Sequence, residues 1–322
     1  VKHSLVVLFM LLASVCAAHA QPVPIIFDTD MGNDVDDALA LAVLHALESR
    51  GEAKLLAVTL TKDNRYAAPY VDLVNTFYGR PDIPIGVVKN GKTPEDSAMI
   101  RVPCERKRAD GTPVYPRRLN DGSTAPDAST VLRRVLESQP DNSVTIVQVG
   151  FFTNMARLLD TDRDLIARKV RLLVVMAGAF PTGIAEYNVK TDLPASRKVF
   201  AEWPTPIVAR GLEIGNSILY TAVSIARDYR YVENHPIVDA YRAYKKMPYD
   251  RQTWDLTAVL YAVRPDRGYF SLSPPGQIST DEKGRTHFTE SPGGKHRYLI
   301  VNDTQRVRVL EALVQLASQP PK

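Results

Sequence analysis

The sequence predicts an α/β fold with a mainly parallel central sheet flanked by helices and a helical insertion. Three observations predict it. Short β-branched runs at residues 24–28, 55–61, 83–88, 143–150, 170–178 and 205–211 alternate with helical patterns such as residues 67–79 and 194–203, the rhythm of repeated βα units. The runs are continuously apolar rather than alternating, as strands covered by helices on both faces are. At the first strand-to-helix handover, Asp28, Asp30, Asp34, Asp36 and Asp37 fall within ten residues, at the carboxyl end of a strand, where such sheets place their functional loops.

Residues 1–20 come first, with Lys2 ahead of an apolar stretch and Ala18-His19-Ala20 at its end. This is the layout of a secretory signal peptide cleaved after Ala20, so export to the periplasm or beyond is expected. Residues 21–322 are expected to form a single domain. In it, residues 24–28 form the first strand, Met31-Gly32-Asn33 turns the chain, and Asp36-Asp37 opens a deeply buried helix. Residues 89–128 are polar and rich in Pro, Gly and charge, which predicts a long loop near a site mouth. Residues 216–263 read as helical, and strand character resumes only around residues 267–273.

Composition narrows the function. The 322 residues are 45% hydrophobic and 24% charged with a net charge of +4, ordinary for a soluble globular chain. No run of like charges or basic-aromatic segment supports a nucleic-acid partner, and no membrane role is expected once the leader is removed. Cys104 is the single cysteine after residue 20, so an internal disulfide is excluded, and no paired histidine marks it as a nucleophile. Self-assembly into a homo-oligomer stays open.

Crowded carboxylates resist desolvation and need a cation, protons or open water. The candidates are a metal site, a catalytic carboxylate pair or a solvated turn. Helix capping would account for one or two aspartates but not five. An EF-hand loop begun at Asp28 fails, because its glycine falls one place early and Leu39 stands where glutamate is needed. A haloacid-dehalogenase-type phosphatase expects Thr or Val where Gly32 stands.

The run Asp28-Thr29-Asp30-Met31-Gly32 followed by Asp36-Asp37-Ala38 closely resembles the amino-terminal signature of the inosine-uridine-preferring nucleoside hydrolases, in a variant two residues longer between the glycine and the Asp-Asp pair. Four more segments resemble the family in the same order. They are residues 55–64 ending in Asn64, residues 147–159, residues 174–200 with Glu186 and Asn188, and residues 254–265 with Asp255. The resemblance implies a Rossmann-related, nucleoside-hydrolase-like sheet and one bound Ca²⁺. The implied ligands are Asp30, Asp37, Asp255 and the main-chain carbonyl of Val149.

The resemblance also implies hydrolysis of the N-glycosidic bond of a nucleoside to ribose and base. Asp30 would be the general base, Asp36 would accept from the 2-hydroxyl, Asn64 and Asn188 would fix the ribose, and Glu186 would hold the 5-hydroxyl end. Where many members carry a proton-donating histidine, this sequence has Trp254, whose ring can stack on a purine; a purine-leaning nucleosidase is expected. Trp203 follows a helix away from that wall, so an aromatic such as Tyr115 is expected to supply the second face of a base sandwich. The alternatives are a non-catalytic sugar- or nucleoside-binding protein of the same fold, which retention of Asp30, Asp37 and Asp255 argues against, and an exported Asp-x-Asp phosphatase.

Overall fold

The computed structural model describes residues 21–322; the leader expected over residues 1–20 lies outside the described residues. Six parallel strands form the heart of the sheet: β1 (Val23–Thr29), β2 (Ala53–Lys62), β3 (Ile85–Lys92), β4 (Val144–Gln148), β5 (Val170–Met176) and β6 (Ile207–Arg210). Each coincides with one of the six apolar runs. They lie in the order β3-β2-β1-β4-β5-β6, and beyond β6 the sheet continues with His296–Ile300, parallel to β6, then an antiparallel edge of Gly276–Thr280 and Thr286–Glu290.

This order fixes where a site can form. From β1 the chain moves outward to β2 and β3, then returns to lay β4 on the other side of β1. The loops leaving β1 and β4 therefore diverge and leave a crevice at their carboxyl ends. The crossing is tight, since a Cβ at Gly150 would lie 2.6 Å from the Asp30 amide nitrogen. Glycine lets the backbone after Val149 approach the end of β1.

Helix α1 (Asp36–Ser49) follows β1 and is buried from Asp36 through Leu47. Its sequence is apolar on nearly every face because the sheet lies on one side and helices Trp254–Val263 and Asp303–Ala317 pack on the others. That packing brings the start of helix Trp254–Val263 beside the start of α1, so Asp255 meets Asp36 across more than two hundred residues of chain.

Two expectations need correction. Residues 89–128 are not one long loop: β3 extends to Lys92, and helix Ala98–Glu105 buries Met99, Ile100, Pro103 and Cys104. Pro103 within it and the charged flanks hid its short apolar face. Residues 216–263 hold the end of helix Leu212–Ser217 and three further helices, Ala222–Arg227, Pro236–Tyr244 and Trp254–Val263, interrupted by the two-residue strands Leu219–Tyr220 and Arg251–Gln252, which pair with each other. Cys104 is buried and its thiol is pushed up to about 12 by that burial, as befits a packing residue.

Candidate functional site

A cavity of about 380 Å³ opens at the β1–β4 crevice. Asp30, Val149, Glu186, Asn188, Trp254 and Asp255 line it, together with Asn33, Asp34, Tyr187, Tyr244 and Arg251. Six of the residues singled out from the sequence thus converge from four segments of the chain.

The five aspartates divide into two groups. Asp28 points away from the cavity and ties the sheet together, accepting from Thr59 Oγ1 at 2.5 Å and Asn154 Nδ2 at 2.7 Å. Burial pushes its carboxyl up to about 7. The other four gather around the end of α1. Asp30 accepts from Asn33 Nδ2 at 2.7 Å, and Lys62 Nζ donates to Asn33 Oδ1 at 2.9 Å. Burial raises Asp30 to about 6 against those favourable contacts.

Asp37 lies fully buried behind the cavity wall, with one carboxylate oxygen accepting from the Thr29 hydroxyl and the other, Oδ2, without a protein partner. An orphaned buried carboxylate oxygen is costly and calls for a cation or a proton. Burial, then repulsion from Asp255 and Asp30, holds Asp37 well above the usual carboxylate range. Asp255 and Asp34 are raised in the same sense, by burial first and neighbouring carboxylates second. Oxygens of Asp34, Asp36 and Asp255 can all come within 4.8 Å of one another. A set made only of carboxylate oxygens suits a hard divalent ion, so these residues fit a metal of that class.

Asp36 does not line the cavity. Its Oδ1 accepts from Arg251 Nε at 3.0 Å and Nη2 at 2.6 Å, and its Oδ2 from the Asp255 amide at 3.3 Å. Arg251 also reaches Asp34 at 2.7 Å, and its guanidinium lies 4.7 Å from the Trp254 ring centroid and 5.2 Å from that of Tyr244. Although burial works against its charge, Asp36 and Asp34 hold the Arg251 pKa above its ordinary value. Arg210, at the end of β6, is fully buried with Nε and Nη2 unpartnered, and burial lowers it to about 10.

Glu186 caps helix Tyr187–Thr191. Its carboxylate accepts from the amides of Asn188 at 2.8 Å, Val189 at 3.1 Å and Gly178 at 3.2 Å. This fixes Asn188, whose Nδ2 donates to the Val149 carbonyl at 2.7 Å and the Met176 carbonyl at 3.2 Å. Trp254 is pinned by Nε1–H donation to Asn216 Oδ1 at 3.0 Å and by Gly215, where any Cβ would overlap the indole.

Asn64 is placed elsewhere. Its amide donates to the Pro94 and Glu95 carbonyls at 3.0 and 3.1 Å, and its oxygen accepts from the Tyr66 amide; it does not line the cavity. Tyr115 is also absent from the wall, because its hydroxyl donates to Asp239 at 2.5 Å. Trp203 is buried at the end of its helix, bonded to Thr205. The aromatic residues that do line the cavity beside Trp254 are Tyr187 and Tyr244. Sequence reasoning missed Arg251, Asn33 and Lys62; the two-residue lengthening, Asp34-Val35, was the one available signal, and it pointed only to Asp34.

Known proteins resemble this chain in sequence and in fold. Over 223 residues the chain is 32% identical to the pyrimidine-specific ribonucleoside hydrolase RihA of Salmonella agona, an alignment covering 63% of this chain and 65% of the relative. The chain therefore spans somewhat less than two thirds of the length of the curated relatives it matches. Among solved structures, the inosine-uridine preferring nucleoside hydrolase from Bacillus anthracis superposes with a TM-score of 0.70 at 19% identity, covering 92% of this chain and 99% of that one. The purine-preferring ribonucleoside hydrolase from Gardnerella vaginalis gives 0.68 at 18%, covering 92% and 98%. At such identities the likeness establishes the fold. The profile of the inosine-uridine preferring nucleoside hydrolases matches residues 25–314, and the chain belongs to that family.

Proposed function

We propose that this protein hydrolyses the N-glycosidic bond of ribonucleosides, releasing ribose and free base, with a resident Ca²⁺. The observation that carries this reading is the convergence of Asp30, Asp255, Asn188 and the Val149 peptide on one cavity at the β1–β4 crevice, with the unpartnered Asp37 Oδ2 behind it. Asp30, Asp37, Asp255 and the Val149 carbonyl would hold the ion. When bound, it would lower the pKa of a coordinated water and offset the carboxylate repulsion.

The chain's own residues divide the rest of the chemistry. Glycoside cleavage passes through an oxocarbenium-like sugar and needs a base on one side and a tolerable leaving group on the other. Asp30 takes the proton from the attacking water, its carboxylate oriented by Asn33 and Lys62. Asn188 and Glu186 frame the sugar, with Glu186 acting mainly by fixing the backbone that carries Asn188. Asp36 is oriented by Arg251 and the Asp255 amide and lies beside the ligand set, in reach of Asp255.

For the base, Trp254 supports a purine lean, since a two-ring base gains more from stacking on an indole. A pyrimidine preference is the second reading, favoured by the name of the RihA relative. Export, suggested by the apolar leader, belongs to the same proposal; the secreted chain should begin at Gln21.

The test is to incubate residues 21–322 with Ca²⁺ and a panel of nucleosides and follow free reducing sugar. Sugar release that disappears on chelation and returns with Ca²⁺ is expected. Tight nucleoside binding without sugar release would instead identify a binding protein.

A further inference from the structure

We propose that Arg251 is the electrophile that receives the leaving base, through its Nη1 N–H. This rests on the nucleosidase reading and adds a catalytic residue to it. Cleavage leaves the bonding electron pair on the base nitrogen, and delocalisation carries that charge to a ring nitrogen or carbonyl oxygen of the base. Some donor must meet it. Among the described residues that line the cavity there is no histidine, and Arg251 is the one cation.

The donor inventory identifies the atom. A guanidinium has five N–H groups. Nε–H and one Nη2–H donate to Asp36 at 3.0 and 2.6 Å, and Nη2 is held in an ion pair by Asp34 at 2.7 Å. Nη1 makes one long contact of 3.4 Å to the Tyr244 hydroxyl, which leaves a second N–H with no partner. The group is also pre-set: two carboxylates grip one edge, the rings of Trp254 and Tyr244 lie against its π-system, and its backbone is paired with Tyr220. A fixed donor beside the stacking tryptophan needs no reorganisation when charge develops.

Arginine does not give up its proton near neutrality, so the step is charge stabilisation and not acid catalysis. The C1′–N bond breaks, and the base departs as an anion hydrogen-bonded to Nη1. Water adds to C1′ and passes its proton to Asp30. After release the base anion takes a proton from solvent, and Asp30 returns its proton to solvent, leaving ribose plus neutral base.

The experiment compares inosine and uridine with p-nitrophenyl β-D-ribofuranoside, whose leaving group departs as a stable anion without help. In Arg251→Gln, the ratio of kcat/KM for the nitrophenyl riboside to that for the nucleosides should rise on the order of a hundredfold, the scale of removing one pre-set donor. Arg251→Lys keeps the charge but loses the fork and should give a smaller rise, and it serves as the readout if the glutamine variant does not fold. A parallel loss on all three substrates in either variant overturns the proposal and leaves Arg251 as a support for Asp36. If the unmutated protein releases sugar from none of them, the nucleosidase reading itself falls.

Discussion

At the floor of the cavity, Asp30 and Val149 stand where two adjacent parallel strands end, while the opposite wall is made by Tyr244, Arg251 and Trp254, drawn from the broken helical stretch after β6. The floor inherits its geometry from strand register, in which Asp28 of β1 faces Gln148 of β4. The wall depends on tertiary pairing, in which Arg251 meets Asp34 and Asp36 across more than two hundred residues. On the proposed reading the floor carries the cleavage chemistry and the wall meets the base.

Substitutions can break this division, and the largest effect is expected at the floor. Asp30→Asn should keep the fold and cut turnover by on the order of a hundredfold or more, the usual scale for a positioned base, read as sugar released from inosine. Near-native turnover would remove Asp30 from that role. Next comes the metal. Asp37→Ala should carry no calcium by elemental analysis and lack the thermal stabilisation expected of the unmutated protein on adding Ca²⁺, about 2.7 kcal/mol at a hundredfold excess over Kd. Calcium retained at one per chain would take Asp37 out of the ligand set.

At the wall the change should be selective. Trp254→Ala is expected to lower kcat/KM for purine nucleosides by up to about tenfold more than for pyrimidines, the size of a stacking term of about 0.5–1.5 kcal/mol, with calcium binding intact. Equal losses on both classes, or an unmutated enzyme that favours uridine, would make Trp254 a packing residue.

The smallest effect tests the far end of the helix that carries Trp254 and Asp255. There Arg264 donates to Glu52 through Nε at 2.7 Å and Nη2 at 2.6 Å. Burial works against the charge on Glu52, but the bonds from Arg264 outweigh it and hold the carboxyl below its usual range. Stability from this pair is therefore present above the unfolded carboxyl pKa and is lost as pH falls through the folded one. Glu52→Gln should cost about 0.5–1 kcal/mol at neutral pH, the range for a partly exposed pair, and little in acid, without altering base preference. A shifted purine-to-pyrimidine ratio would show that the wall senses strain from its distant anchor.

The same division governs what the sequence discloses. All six parallel strands were legible, because strands buried on both faces must be continuously apolar. Asp30, Glu186, Asn188 and Asp255 follow local motifs at strand ends or helix starts, so their meeting in one cavity was legible too. Asn64 also follows a strand end, yet its amide is held by the carbonyls of Pro94 and Glu95, a contact that depends on the path of a segment with no periodic pattern. Arg251 was invisible for a related reason. An isolated arginine before a helix reads as solvated surface unless its carboxylate partners are known to face it.

Gly215 shows how little chain is needed to set the position of the wall. Because the indole of Trp254 rests against that bare backbone, residue 215 works as a size setting for the binding chamber. Alanine or serine there would press on both the indole and the Trp254 Cα, 2.8 Å from the added Cβ, and so move the start of the helix that carries Trp254. A small library at this single position, with every aspartate untouched, would be a direct route to enzymes graded by the bulk of the base they admit.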